Sequence, residues 1–427
     1  MVSSSETPRH PSTPLQVLRR FPAFRTVWLT QSVSQLGDQM YIVTLSWLVA
    51  ELTGSEAAMA AVRTASMLPV VLFGLLAGAY VDRSNRQRLL ILCDAVRIVG
   101  AGAFTMMIYF RVVTLGAVVA FAVFFGLVRA FFDPAYMAYV PQLVDREDIV
   151  PANGLQYIAQ RTSSVVGPGV GGFLVALFGY PLNVALNAAS FAVGALGMTV
   201  SRTLARPASP ARASLRDLFQ DIKSGVTYLL GKRQLLATLV LSGASNLCFG
   251  PFIVLMPFFV KETLGSDATG YGLIESCFSL GLVTGAIATS YMAQSPKKYG
   301  LFVGGHIVEG LILAVAGFSA RLPLAMILFF LFGLVVGPVN IIFSSLAQLE
   351  TSDEYRGRVG GVIQVWNPLN LVIGYAITGR VARYASPGVI ISLGGLLLAL
   401  FSAAIAWQTM SRARNRHASP VTPGPGR

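Results

Sequence analysis

Apolar residues in this chain come in long blocks, not in the short periodic stripes of a water-soluble fold. Twelve blocks can be drawn, at roughly 26–50, 57–80, 89–110, 113–133, 153–177, 181–201, 236–260, 269–293, 299–320, 322–345, 358–383 and 387–410. A helix needs about 20 residues to cross the hydrocarbon layer of a bilayer, and each block is of that order. Lipid offers no hydrogen-bonding partner to a backbone, so a spanning segment must satisfy its own N–H and C=O groups. The blocks are therefore predicted to be transmembrane helices. Charged residues make up only 12% of the 427 positions, about half the share of a soluble chain. The weakest divisions fall at Arg111 and at Arg321-Leu322-Pro323.

The basic residues fix an orientation. With both chain ends in the cytoplasm, 23 Lys and Arg fall on the cytoplasmic side and 5 on the other. Four more, Arg63, Arg97, Arg129 and Arg161, lie within spans. That asymmetry is the positive-inside pattern. It also accounts for the net charge of +13 without nucleic acid, because the cations are spread over alternate loops instead of forming one patch. Residues 1–25 contain no apolar core with a cleavage site and read as a cytoplasmic tail, not a signal peptide. Cys93, Cys248 and Cys277 all sit in apolar runs, without metal-ligand or disulfide spacing. No cofactor or metal site is expected.

The longest connection, 202–235, falls at the middle of the chain and separates a bundle at 26–201 from one at 236–410, with a cytoplasmic tail at 411–427. Six spans on each side suggest two halves related by an axis along the membrane normal. Within the linker, Leu215, Leu218, Phe219, Ile222, Val226 and Leu229 recur at helical spacing with polar residues between them. Ser214 and Asp217 resemble a capping box. An amphipathic helix lying on the inner membrane face is expected. Pro207, Pro210 and the tail from Pro420 are expected to be disordered.

Gly78-Ala79-Tyr80-Val81-Asp82-Arg83-Ser84-Asn85-Arg86-Gln87-Arg88 forms a charged hairpin between the second and third spans. It resembles the loop 2–3 signature of the major facilitator superfamily, Gly-x-x-x-Asp-Arg-x-Gly-Arg-Arg/Lys. Asn85 stands for the second Gly, tolerable if the backbone is left-handed there, and Gln87 stands for the last base. Gly78 is expected to let this helix end approach a neighbour closely. The resemblance extends through Phe24-Arg25, Trp28, Ser34, Gly37-Asp38 and Trp47-Leu48-Val49 in the first span. It continues in Asp133-Pro134-Ala135, Pro141-Gln142-Leu143-Val144, Ala152-Asn153 and Asp353-Glu354-Tyr355-Arg356-Gly357-Arg358-Val359. These are similar to the branch holding enterobactin-exporter-like and macrolide-efflux-like permeases. The resemblance covers about residues 20 to 410 and is loose in the second half; the loop 8–9 counterpart keeps the basic pair Lys297-Lys298 but not Asp-Arg. Gly167-Pro168-Gly169-Val170-Gly171-Gly172 matches a pattern associated in this superfamily with exporters that exchange substrate for ions. Proline removes a helix hydrogen bond and glycines allow close packing, which suits a rocking interface. The resemblance implies an all-α integral membrane fold of twelve helices in two six-helix bundles. Asp82, Arg83, Arg86, Arg129 and Asp133 join Gly78 and the Gly-Pro stretch (Gly167, Pro168, Gly171, Gly172) as gating candidates.

Charges within the bilayer are costly, so each buried ionisable group is a candidate site. Asp38 lies about 18 Å into the first span. Gln31, Ser34, Gln35, Asp38 and Tyr41 share one face by their spacing. Asp38 is read as a proton-coupling residue, or as the partner of Arg63, Arg97 or Arg161 in a fixed salt bridge. Arg161 is the preferred partner, from a second polar stripe with Asn153, Gln156, Tyr157, Gln160 and Ser164. Asp94 and Arg97, one turn apart, are expected to neutralise each other. Glu275 and Glu309, the latter one turn from His306, are the other proton-coupling candidates. Gln31, Gln35, Tyr41, Gln160, Arg161, Asn246, Asn340, Gln364 and Asn367 are candidates to line a substrate cavity, with Asn370 adding a neutral hydrogen-bonding group and Trp366, Phe249 and Phe252 as apolar wall. That mixture suits a small amphipathic organic molecule.

The expected function is secondary active export of such a molecule, of drug, antibiotic or siderophore class, by proton antiport from a monomer in the cell membrane. Uptake or facilitated passage of a metabolite is the alternative. A non-transporting receptor or assembly factor is an alternative of another class, disfavoured because a static scaffold need not keep buried ionisable groups. No phosphate-binding Gly-x-x-x-x-Gly-Lys-Ser/Thr run occurs, and no enzyme motif lies within a span. The orientation has a direct check. In a background lacking the three native cysteines, a cysteine at Ser55 should be labelled by an impermeant thiol reagent added outside intact cells, and one at Ser214 should not. The reverse pattern would overturn the orientation.

Overall fold

The structure, a computed structural model, describes residues 13–201, 215–292 and 298–418. Among these residues it is helical throughout its ordered elements, with no strand. A short α1 (Pro14–Arg20) precedes α2 (Pro22–Thr53), α3 (Glu56–Arg83), α4 (Arg86–Tyr109), α5 (Leu115–Tyr139), α6 (Ile149–Phe178) and α7 (Tyr180–Val200). The linker helix α8 (Leu215–Gly231) leads to α9 (Arg233–Phe258), α10 (Ala268–Met292), α11 (Lys298–Ala316), α12 (Leu322–Leu349), α13 (Arg356–Val381) and α14 (Pro387–Ala418). Each of the twelve apolar blocks falls on one long helix. Ser214, the linker prolines, the 293–297 loop and the Pro420–Arg427 tail lie outside the described residues.

Helix ends are set locally. Ser55, Asn85 and Thr114 each accept a backbone N–H three residues on, at 3.3, 3.0 and 3.2 Å. These are N-caps that satisfy donors left over at a helix start. Asn85 does this from extended backbone at φ −70°. It therefore stands in the hairpin for its side-chain oxygen, not for tolerance of the left-handed region. The doubtful division at Arg111 is a true one, where a left-handed residue at φ 57° follows α4.

Ten of the twelve long helices are apolar and long enough to cross a membrane by composition alone. The two that fall short are α2 and α13, which carry Asp38 and the Gln364, Asn367 and Asn370 series. Their polarity is affordable because they pack against other helices and the space between the halves, away from lipid.

The two halves repeat one packing plan. In the first, α2 packs on α6 and α7, α3 on α5, and α4 on α5 and α7. In the second, α9 packs on α13 and α14, α10 on α12, and α11 on α12 and α14. One device recurs in both halves. The Trp28 indole on α2 donates to the Leu155 carbonyl on α6, and the Trp366 indole on α13 to the Leu239 carbonyl on α9, each at 2.9 Å. Small residues permit close approach. Gly281 and Gly285 of α10 lie on backbone carbonyls of α12, while Gly333 and Gly337 of α12 lie on those of α10. A methyl group at any of the four would overlap the facing oxygen.

Buried apolar side chains form three clusters. The face carrying α1 and α8 is called here the α1 face, and the other the far face. Toward the far face a single cluster joins both halves, with Trp47, Met59 and Phe104 from one and Phe259, Tyr271 and Phe329 from the other. Toward the α1 face each half keeps its own cluster, Phe24 with Tyr139 in the first and Phe302 with Phe343 in the second. The halves are thus sealed together on the far side and separate on the α1 side.

Two segments carry structure that the sequence reading did not specify. Part of the 1–25 tail is structured: Thr13 and Gln16 make a capping box for α1. Arg20 then binds Asp145 at 2.6 Å and Asp148 at 3.0 Å in the α5–α6 connection. Helix α8 docks on protein instead of lying only on a lipid surface. Asp221 pairs with Arg358 at 3.0 Å, Tyr228 stacks on Tyr355 at 4.4 Å between centroids, and Leu229 is buried.

Candidate functional site

The first half holds a set of ionisable groups that runs from the buried Asp94–Arg97 pair to the exposed Arg129–Asp133 pair. Asp94 and Arg97 on α4 are 0% and 5% exposed, and they approach to 3.7 Å. The Arg97 guanidinium also lies 4.0 Å from the Phe132 ring centroid, a cation–π contact that suits a desolvated arginine. On α5, Arg129 binds Asp133 at 3.0 Å. Asp38 of α2 stands between these pairs, within electrostatic reach of Arg97, Arg129 and Asp133 and beside the Asn187 amide of α7. It forms none of the ion pairs found among the described residues. Three carboxylates thus face two arginines, and the unmatched one is Asp38.

Several other polar atoms around α2 are buried without a hydrogen-bond partner. They include Gln35 Oε1, the Tyr41 hydroxyl and Asn187 Nδ2. Unpaired buried polar groups are costly, so such a cluster marks a place where water or a ligand completes the bonding. Gln31 is not part of it: 2% exposed, it turns toward α4 and its amide lies 3.4 Å from Asp94. Tyr41 is also buried, its ring 5.4 Å from that of Phe125. Only its hydroxyl end is available to the site. Arg161 does not pair with Asp38; it lies over the Tyr157 ring at 4.8 Å. Arg63, the other suggested partner, donates to Ser46 at 2.7 Å. Gln160 is exposed, as are Asn340 and Gln364 in the second half.

The second half offers neutral groups. Asn367 accepts from Ser242 at 3.1 Å, and Asn246 is tied to the Ser242 carbonyl at 2.9 Å. Phe252 is not a cavity wall but core, 1% exposed within a stack that includes Phe249, Phe278 and Phe332. Glu309 is likewise internal. It meets His306 at 2.8 Å and Ser245 at 3.0 Å, and both ionisable groups are 3% exposed. The two are hydrogen-bonded to each other within α11 and form an ion pair only when His306 is protonated. Among the described residues no group of His, Cys, Asp and Glu could hold a metal ion.

The Gly-Pro stretch of α6 faces two ways. Gly167 and Gly171 lie against Gln39 and Met40 of α2 in the same half. Gly169 and Gly172 lie against α10 of the other half, at Ser276 and at the Ala268 carbonyl. The Gly169 N–H donates to Ser276 Oγ at 2.9 Å, and Gly272 returns the contact against Pro168. The matching seam pairs α3 with α13, where Gly379 rests on Ala57 and Ala60. Backbones meet almost directly at both seams, which closes the far face.

On the α1 face the contacts described for Asp82 and Arg86 stay within the first half. Asp82 is exposed and reaches Arg86 at 3.7 Å, while Arg86 donates to the Ala138 carbonyl at 3.2 Å. A side chain at Gly78 would meet open space, contrary to the close approach expected there. Arg83 is exposed beside Asp82. No side chain caps the start of α13. The gap at Gly78 follows from the separation of the halves on this side.

The sequence profile of a family described as transmembrane secretion effector matches residues 12–423. The chain is 26% identical over 362 residues to the multidrug efflux pump Tap of Mycolicibacterium fortuitum, covering 82% of this chain and 88% of that protein. It is 24% identical to the enterobactin exporter EntS of Citrobacter koseri, covering 96% and 97%. With macrolide efflux protein A of Streptococcus pyogenes it shares 20% identity, covering 84% and 90%. In fold it resembles the nucleoside transporter NupG, with a TM-score of 0.70 at 15% identity over 91% of this chain and 98% of that one. It also resembles the POT family transporter PepTSo, with a TM-score of 0.72 at 11% identity over 92% and 98%.

The α6–α10 seam makes a measurable demand. Gly172→Val forces side-chain atoms into the Ala268 carbonyl, an overpacking that costs about 1–3 kcal/mol. The far-face-closed population should fall accordingly. In a cysteine-free background with Ser276→Cys as the reporter, alkylation should be faster in the Gly172→Val protein. Equal alkylation rates would show that the seam is not what shields Ser276.

Proposed function

This chain belongs to the transmembrane secretion effector family of major facilitator transporters, and on that premise we propose that it exports a small amphipathic organic molecule by proton antiport. The reading puts the α1 face in the cytoplasm, in keeping with the excess of basic residues on that side. The conformation described is then open to the cytoplasm and closed outside. A substrate enters between the halves from the cytoplasm or inner leaflet and meets Gln35, Asp38, the Tyr41 hydroxyl, Gln160 and Arg161 on one wall. Asn246, Asn340, Gln364 and Asn367 face it from the other. The transporting unit is a single chain, because both halves and the seams between them lie within it. It is a transporter and not an enzyme.

The observation that carries the reading is the charge count of the groups that surround Asp38. Asp94 has Arg97 and Asp133 has Arg129, and Asp38 has no arginine of its own. One proton on Asp38 makes the group neutral overall. Its loss leaves one net negative charge, which a cationic substrate can balance. Substrate and proton would thus compete for one carboxylate, which is the requirement of an antiporter. One proton crossing a 100 mV potential releases about 2.3 kcal/mol, enough for roughly a fifty-fold substrate gradient. In the outward-open state, Asp82 would reach the uncapped start of α13, where a carboxylate interacts favourably with the helix dipole.

Relatives named as multidrug, macrolide and enterobactin exporters support the substrate class and the direction. The test is substrate-induced proton flux in proteoliposomes with an imposed pH gradient, using candidate drugs of the kinds those names state. Asp38→Asn keeps the shape and removes the proton site. It should abolish gradient-driven export while leaving passive exchange. Coupled fluxes in the Asn variant would overturn the role of Asp38.

A further inference from the structure

We infer that Arg63, Tyr271 and Glu275 form a polar latch across the two halves that holds the outer gate closed. Arg63 and Glu275 lie near the far-face ends of their helices, where Tyr271 belongs to the cluster that joins both halves. Arg63 is seven residues from the start of α3, Glu275 seven from the start of α10, and Ser46 seven from the end of α2. At 1.5 Å per residue this puts all of them about 10 Å below the outer ends of their helices. They therefore share one layer, inside the bilayer and outside the Asp38 cluster.

Within that layer each half carries one unmatched charge. Arg63 donates to the neutral Ser46 hydroxyl at 2.7 Å and forms none of the ion pairs found within the first half. Its Nε is buried without a hydrogen-bond partner. Glu275 likewise takes part in none of the ion pairs described in the second half. Across the seam the two form no direct ion pair but are within electrostatic reach of each other and of the Tyr271 hydroxyl. Tyr271 is 0% exposed, its hydroxyl lacks a hydrogen bond of ordinary geometry, and its ring stacks on Trp47 of the first half at 6.3 Å. The other ionisable group near Arg63 is Tyr375 of α13, also from the second half.

The arrangement differs from a fixed structural salt bridge. A lone charge in the apolar layer is costly, and an opposite charge nearby offsets part of that cost. Among the described residues the opposite charge acting across the seam comes from the other half, so it is available while the outer gate is shut. When the gate opens, water takes over the solvation of both groups. The latch thus adds stability selectively to the closed form, and the glycine seams beside it supply fit without charge. The inference stands on this geometry and does not depend on proton coupling or on which molecule is carried.

The test uses the full-length protein in lipid nanodiscs, free of native cysteines, with spin labels at Val112 and Ser386 on the outer loops of the two halves. Glu275→Gln and Arg63→Gln should each raise the population with a long inter-label distance by about fivefold or more. Exchanging the charges, Arg63→Glu with Glu275→Arg, should restore the short distance. Unchanged distances in the single variants, or an exchanged protein as open as they are, would overturn the latch. If the exchanged protein does not fold, Arg63→Lys replaces it. That variant keeps the charge and should stay closed; opening equal to that of Arg63→Gln would also overturn the inference. Proton-coupled export is measured separately with Asp38→Asn, so its failure leaves this result standing.

Discussion

A charge placed in the apolar layer of a bilayer has to be matched, hydrated or removed, and the structure is organised around that requirement. Asp94 and Arg97 are matched within one helix and covered by Phe132 and Phe191. His306 and Glu309 are matched within another. Asp38, Arg63 and Glu275 have no partner of this kind. In the proposed mechanism each would depend on something that comes and goes: a proton or substrate for Asp38, the opposite half for Arg63 and Glu275. The groups left unmatched are therefore the ones that give the molecule alternative states.

The seams between the halves obey a complementary rule. At α6 against α10 and α3 against α13, glycine and alanine bring backbones together with few side chains between them. Such contact gains dispersion energy only at close fit and loses it over a small displacement. A seam of this type can be complete or absent but has little stable middle ground. The α10–α12 packing uses the same glycine-on-carbonyl contact within one half. There it is reinforced along the whole helix pair by the phenylalanine cluster around Phe252, Phe278 and Phe332. Each half can thus move as one body while the cross-half seams open and close.

Much of this was legible in the sequence, because membrane burial is a one-dimensional constraint. Block length located all twelve long helices, and the two that are too polar for a composition test are those whose polar stripes mark them as interior. The periodicity of Leu215 to Leu229 located α8. Helical spacing could not say which neighbour a polar face meets. Gln31 and Asp38 lie on one stripe, yet Gln31 ends against Asp94 and Asp38 stands unpaired. Arg161 was a plausible partner by depth, but pairing depends on rotation about the helix axis, which a single sequence does not specify. Gly78 shows a different limit: helical spacing predicted a close approach there, and the structure has open space beside it. The Gly281/Gly285 and Gly333/Gly337 spacing and the Thr13/Gln16 capping box were readable signals that the twelve-block pattern overshadowed.

The central claim is that two rigid halves exchange an outer seal for an inner one. The direct measurement is a pair of inter-label distances in wild-type transport-competent protein, one between Arg88 and Glu354 on the α1 face and one between Val112 and Ser386 on the far face, followed across a pH titration in nanodiscs. The expected result is two populations with opposed distances, the α1-face pair shortening as the far-face pair lengthens, while a control pair within either half stays constant. Distances that change independently, or a control pair that moves with them, would contradict rigid-body exchange between the two seals.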